Sequence, residues 1–193
     1  MHPKTIVLSL LFAVVPCLGA TQTLTGGDAP LAHGETRPGR FTVEVTAGST
    51  LRGGSVQSAS VGFLPAPWLT LLVQGERFHE PTRVNYFENG SSISRGFTTL
   101  VVGGEVRVGV PTSRRVSGYG ALGLGTGTWQ SNVNQFFRER NSGPVRTAYA
   151  GGGARFRIHR NLSVVADARV ALAVSDDSVF GYVPIRAGLA WDF

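Results

Sequence analysis

Residues 183–193 read Val-Pro-Ile-Arg-Ala-Gly-Leu-Ala-Trp-Asp-Phe, and no other stretch limits the fold as strongly. Counted back in twos, Phe193, Trp191, Leu189, Ala187, Ile185 and Val183 are apolar, while Asp192, Ala190, Gly188, Arg186 and Pro184 between them are charged, small or strand-breaking. A period of two means a β-strand with one apolar and one polar face. Such a strand suits the edge of a soluble sandwich or the wall of a closed barrel. The rest of the chain decides between them.

At the other end, Lys4 precedes an apolar run, residues 6–15, broken only by Ser9 and followed by Pro16-Cys17-Leu18-Gly19-Ala20. A positive start, a short apolar stretch and a small-residue exit predict a secretory signal peptide over residues 1–20, too short to span a bilayer. Cys17 invites a lipoprotein reading, but Pro16 stands where that motif wants a small residue. Cleavage after Ala20 leaves a mature chain without cysteine, hence without disulfides. Residues 21–40 carry Thr, Gly and Pro without apolar periodicity and read as a flexible lead-in.

About 170 residues remain, enough for one domain. The chain has 26 glycines and 16% charged residues, and no helical apolar period persists for three turns. The fold class is therefore all-β. No mature segment is apolar for the roughly 20 residues a membrane helix needs, so a membrane protein of this sequence has to be a barrel. The net charge is +6, and every basic residue except Lys4 is arginine. Those arginines are spread over strands and loops instead of forming the stripe of a nucleic-acid surface, so no nucleic-acid partner is expected.

Eight strand-like segments follow, each near the ten residues of a tilted membrane strand. They are 41–50, 55–64, 68–79, 97–110, 118–129, 146–158, 163–173 and 183–193. Brief connections follow the second, fourth and sixth segments. Two long polar ones, 80–96 and 130–145, follow the third and fifth, and 175–182 follows the seventh; the first connection is itself brief. On the polar parity lie Glu44, Glu76, Glu105, Asp167 and Asp192 with Arg107, Arg155, Arg157, Arg169 and Arg186, five acids against five arginines. Balanced signs predict a plugged, ion-paired lumen, because an unpaired buried ion costs several kcal/mol.

The ending Gly188-Leu189-Ala190-Trp191-Asp192-Phe193 and the run Gly118-Tyr119-Gly120-Ala121-Leu122-Gly123-Leu124-Gly125 together resemble the small bacterial outer-membrane barrels of the OmpA/OmpX and opacity types. The likeness covers residues 41–193. It implies an eight-stranded antiparallel up-and-down transmembrane β-barrel in the outer membrane, with short periplasmic turns and longer extracellular loops. It also implies that Leu189, Trp191 and Phe193 form the signal read by the barrel-insertion machinery. Trp68, Tyr119, Trp129, Tyr149, Trp191 and Phe193, near strand ends, resemble interfacial girdles. The implied partners are outer-membrane lipid, lipopolysaccharide and a surface ligand. No cofactor and no metal are expected.

The residues offer little catalytic chemistry. His33, His79 and His159 are spread over the lead-in and opposite strand ends, so they do not share a metal. His159 and Ser163 lack the His-x-Ser-Asn order of lipid A deacylase barrels, the least favoured alternative. The chain is read as a non-enzyme. Loop 80–96 holds Tyr86 and Phe87, and loop 130–145 holds Phe136, Phe137, Arg138 and Arg140. Aromatics beside arginines are the composition of binding anchors, so these loops are read as adhesion-like recognition surfaces. A small conduit for apolar solutes is the other alternative, if Phe78, Leu122 and Leu124 face inward.

Overall fold

The period-two pattern folds into strands because each alternates between two solvents. In the computed structural model, which describes residues 39–193 apart from 88–89, 112–114, 133–138, 140 and 177, and the backbone alone of 84–87, 90–92 and 111, every regular element is a β-strand. They are β1 (Arg40–Thr50), β2 (Ser55–Ala66), β3 (Leu69–Glu80), β4 (Arg83–Phe87), β5 (Gly90–Ser94), β6 (Phe97–Pro111), β7 (Val116–Ser131), β8 (Ser142–Arg157), β9 (Leu162–Val174), β10 (Val179–Tyr182) and β11 (Pro184–Asp192). The predicted signal peptide and most of the lead-in lie outside the described residues, and Arg40 already belongs to β1.

All neighbours are antiparallel, in the order β10-β9-β11-β1-β2-β3-β6-β7-β8, and pairing of β8 with β9 closes the ring. β10 and β11 share one register on β9, with Tyr182 opposite Ala171 and Ile185 opposite Ala168. They are one strand interrupted before Pro184, which has no N–H for the ladder. The barrel therefore has eight strands. Following paired residues from Phe41 through Phe63, Leu71, Val106, Leu122, Ala150 and Val170 leads back to β1 at its far end, beside Thr50. That stagger tilts the strands and sets the width of the lumen. We call the end bearing Arg40 and Asp192 the base, and the opposite end the top.

Three differences from the sequence reading reshape the connections at the top. Segment 80–96 is not all loop, because β4 and β5 form a hairpin with Phe87 opposite Gly90. β8 begins at Ser142, where Gln130 pairs with Ser142, so the second long loop shrinks to 132–141. β10 extends the closing strand to Val179, leaving a tight turn in which the Ser175 N–H donates to the Ser178 carbonyl at 2.8 Å. The connection after β9 is therefore short, like the one after β1. At the base, β2 continues through Pro65 to Ala66 with a register shift between Phe63 and Ala66, an irregularity that a strand proline requires.

The outer wall is apolar and the interior polar: Val73 is 64% and Leu124 70% exposed, against 2% for Glu44 and 6% for Gln74. Glycine makes the filled interior possible at one decisive place. Gly123 on β7 lies directly opposite Tyr149 on β8, and a Cβ at Gly123 would strike the tyrosine ring. By contrast, Gly120 has open space around the same position. Replacing Gly123 with Val should therefore cost about 1–3 kcal/mol by displacing that ring. Gly120→Ala should leave the barrel unchanged. Urea unfolding of the detergent-folded barrel reads the difference, and equal midpoints for the two variants would contradict the packing.

Candidate functional site

Alternation sends every second side chain inward, and seven charged ones meet in a single chain of contacts. Arg107 reaches Glu44, with Nη1 2.7 Å from Oε2 and donating to Oε1 at 2.9 Å, and it also bonds Glu105 on its own strand through Nε. Glu105 takes Arg169 Nη1 at 2.5 Å and Nη2 at 3.1 Å. Arg169 lies 3.1 Å from Asp167, and Asp167 accepts from Arg186 Nε and Nη2 at 3.0 Å each. Arg186 Nη1 then donates to Glu76 at 2.8 Å. The order Glu44, Arg107, Glu105, Arg169, Asp167, Arg186, Glu76 alternates sign at every step, four acids against three arginines. Each charge out of water has an opposite neighbour, which is what burial demands.

Tyrosines complete the acceptor shells. The Tyr149 hydroxyl donates to Glu105 Oε2 at 2.7 Å and accepts from Gln74 Nε2 at 2.5 Å. Tyr119 donates to Asp167 and Tyr182 to Glu76, each at 3.2 Å. Arg107 and Arg169 lie 4.7 Å from the ring centres of Tyr119 and Tyr149 respectively, close enough for cation–π attraction. At the base Arg155 and Asp192 form a separate pair at 2.7 Å. Arg157 ends β8 on the same face, half-buried, its N–H bonded to the Arg115 carbonyl at 2.8 Å.

Toward the top the lumen turns apolar. Phe78 stacks on Tyr182 with ring centres 4.5 Å apart, Phe97 meets Phe180 edge-on at 4.6 Å, and Val101, Val145 and Ala173 pack beside Trp129. Parity hid this plug, since Phe78, Phe97 and Phe180 share the inward face with the charges. Two expectations need correction. Tyr119, Trp129 and Tyr149 point inward and are not girdle residues, whereas Trp68, Trp191 and Phe193 do face outward. Leu122 and Leu124 are on the outer wall, 60% and 70% exposed, so of the three residues offered for an apolar conduit only Phe78 is inside.

Leu189, Trp191 and Phe193 project from the outer wall where β11 meets β1, with Leu189 opposite Val45, Trp191 opposite Val43, and the Phe193 N–H bonded to the Phe41 carbonyl at 2.9 Å. Tyr86 and Phe87 lie on β4, opposite Ser91 and Gly90; their side chains lie outside the described residues. Phe136, Phe137, Arg138 and Arg140 also lie outside them.

The described feet of the two loops are joined by a residue the sequence did not single out. Asn132 donates from its N–H to the Gly96 carbonyl at 2.8 Å and from Nδ2 to the Glu80 carbonyl at 2.9 Å. It also accepts from Thr98 Oγ1 at 3.3 Å and from Arg95 Nε at 3.4 Å. One residue, through its backbone and its side chain, thus fastens the foot of the second loop to both ends of the first.

A closed antiparallel ring of eight strands, polar within and apolar without, is the construction of a membrane β-barrel. No protein-family model matches the sequence, and no curated protein matches it. Solved structures match the fold. The N-terminal β-barrel domain of Pseudomonas aeruginosa OprF is 14% identical with a TM-score of 0.56, covering 81% of this chain and 98% of that one. Neisserial surface protein A is 14% identical with a TM-score of 0.58, covering 80% and 95%. Ail, the attachment invasion locus protein of Yersinia pestis, is 18% identical with a TM-score of 0.52, covering 81% and 100%. The chain has the fold of the small eight-stranded bacterial outer-membrane barrels.

The ion chain makes a ranked expectation. Arg169→Met takes one of two counter-ions from each of Glu105 and Asp167, leaves the buried chain net negative, and should cost about 3–5 kcal/mol. Arg155→Gln, at the partly exposed base pair, should cost less. Urea midpoints of the detergent-folded variants give the order, and an Arg155 effect as large as that of Arg169 would contradict a continuous buried chain.

Proposed function

We propose that this protein is a sealed anchor in the bacterial outer membrane whose activity is recognition at its extracellular top. The observation that supports the reading is the side chains within the barrel: among the described residues, an ion-paired middle beneath an aromatic plug opposes both a polar and a greasy path. The apolar outer wall supports the membrane location, because soluble monomers rarely expose contiguous apolar surface on this scale. The base then faces the periplasm, as in barrels whose strand ends at both termini lie on that side. Leu189, Trp191 and Phe193 fit the strand read by the insertion machinery.

Recognition falls to loops 81–96 and 132–141, whose described feet Asn132 joins. Their sequences carry Tyr86, Phe87, Phe136, Phe137, Arg138 and Arg140, the aromatic and arginine types that dominate binding hot spots. Ail, of similar fold, is by name an attachment protein and has been crystallised with the heparin analogue sucrose octasulfate. A polyanionic surface ligand, including lipopolysaccharide phosphates, suits the arginines here, which would bind it by charge-assisted bonds. A conduit for apolar solutes remains the second reading, and the inward charges oppose it.

Wild-type protein should fractionate with the outer membrane, shift in gel mobility on boiling, and show no stable conductance in planar bilayers. A steady, sizeable conductance would remove the sealed lumen. Cells displaying the protein should bind sucrose octasulfate. Replacing Phe136, Phe137, Arg138 and Arg140 together with Ser should abolish that binding while the gel shift persists; unchanged binding would remove the loops from the function.

A further inference from the structure

The outward side chains of the β2–β3 ladder change character at one level. Rising from the base, the facing pairs are Phe63 with Leu71, Val61 with Val73, and Ala59 with Gly75, all apolar or small. The next two are Gln57 with Arg77 and Ser55 with His79. These four polar residues line a recess of about 150 Å³. Gly75, directly below, has open space where a side chain would stand. The next strand continues the division, with Leu100 beside Arg77 and Thr98 beside His79.

Arg77 forms no ion pair with a carboxylate among the described residues, although it stands at the edge of an apolar wall. Thr98 Oγ1 donates to Asn132, so His79 Nδ1–H donates to Thr98 at 2.9 Å, and the ring lining the recess offers Nε2 to an anion as a donor in its imidazolium form. Thr98 in turn bonds Asn132, so the recess is braced by the residue that joins the loops. A guanidinium, an imidazole, an amide and a hydroxyl converging above an apolar column match an amphiphile with an anionic head. Arginine suits a phosphate there, because its fork of donors meets phosphate oxygens in pairs.

We propose that Ser55, Gln57, Arg77 and His79 bind the phosphate of a membrane lipid, whose acyl chain lies down the wall over Gly75, Ala59, Val61 and Val73. The site is on the side of the barrel, not in the loops, and it holds the protein at a fixed depth through one lipid. It rests on the membrane location proposed above.

The test uses the full chain folded in detergent, titrated with phosphatidic acid, with diacylglycerol of the same chains, and with inorganic phosphate, followed by native mass spectrometry. Phosphatidic acid should bind well above the other two. Arg77→Gln should weaken it about tenfold, the scale of a lost charge-assisted bond. Gly75→Leu, which fills the wall below without touching the polar block, should weaken it as well. Arg146→Gln, an exposed outward arginine on β8, should leave it unchanged. Equal binding of diacylglycerol, equal binding of inorganic phosphate, or an unchanged affinity in both Arg77→Gln and Gly75→Leu would overturn the site. Wild type that lacks the boiling-dependent gel shift and leaves the membrane fraction sinks the membrane reading instead; wild type that keeps both yet shows no phosphate selectivity sinks this proposal alone.

Discussion

An arginine inside this barrel has no water to turn to, and the interior is built around that fact. Arg107, Arg169 and Arg186 come from three different strands, each at a level where carboxylates from neighbouring or opposite strands converge. Arg169 joins Glu105 to Asp167, and Arg186 joins Asp167 to Glu76. Two links run along one strand, Arg107 to Glu105 and Arg169 to Asp167, and the others join different strands. The contacts that fill the middle of the lumen also couple its strands, because removing any middle member takes one counter-ion from each of two partners. The glycines of β7 follow from this too. Tyr149 can reach Glu105 and Gln74 only by lying over Gly123, so the smallest residue on one strand makes room for a large donor on the next.

Much of this could be read from the chain, and the rest could not, for definable reasons. Alternation tells which face a residue takes, so Glu44, Glu105, Arg107, Asp167 and Arg169 share a side by counting alone. It does not tell which carboxylate meets which guanidinium, because that depends on register around the ring, set by turns and by the stagger at closure. Parity also does not separate charge from aromatic. Phe78 and Glu76 are two residues apart on one face, yet the second joins the ion chain and the first the plug. Nearness to strand ends marks Tyr119, Trp129 and Tyr149 as girdle residues, whereas their parity places them inside. The hairpin within 80–96 had only an offset cue in the dipeptide Asn89-Gly90, because Gly90 pairs with Phe87 and so stands in the strand and not in the turn. Asn132 had none, since a single asparagine in a polar stretch looks like any loop residue until its partners are placed.

The strand order makes the top one-sided. The hairpin-bearing connection after β3 and the loop after β7 rise from one sector, β3-β6-β7-β8. The tight turns 51–54 and 175–178 lie on the other. The recognition proposed for the loops would therefore have a direction, because the connections of the opposite sector are short. Asn132 sets the boundary of the raised sector by fixing residue 132 to Glu80 and Gly96. Tethered loops lose less entropy on binding than free ones, which favours a surface composed from both over one built on either alone.

The recess around Arg77 lies where those two sectors meet, on the wall of β2 and β3. Its neighbour on one side is the short turn 51–54, which leaves the approach from the bilayer open; its neighbour on the other is the braced foot of the first loop. An arginine placed on an outer wall is costly at mid-bilayer and nearly free at the interface, so its position marks where the apolar belt ends. Gln57, Ser55 and His79 gather at that same level, while Leu100, Val73 and Val61 lie beside and below it. The height at which the wall turns polar is thus also the height at which it offers donors to an anion. A lipid phosphate held there would connect the depth of the barrel to the orientation of the loops through His79, Thr98 and Asn132.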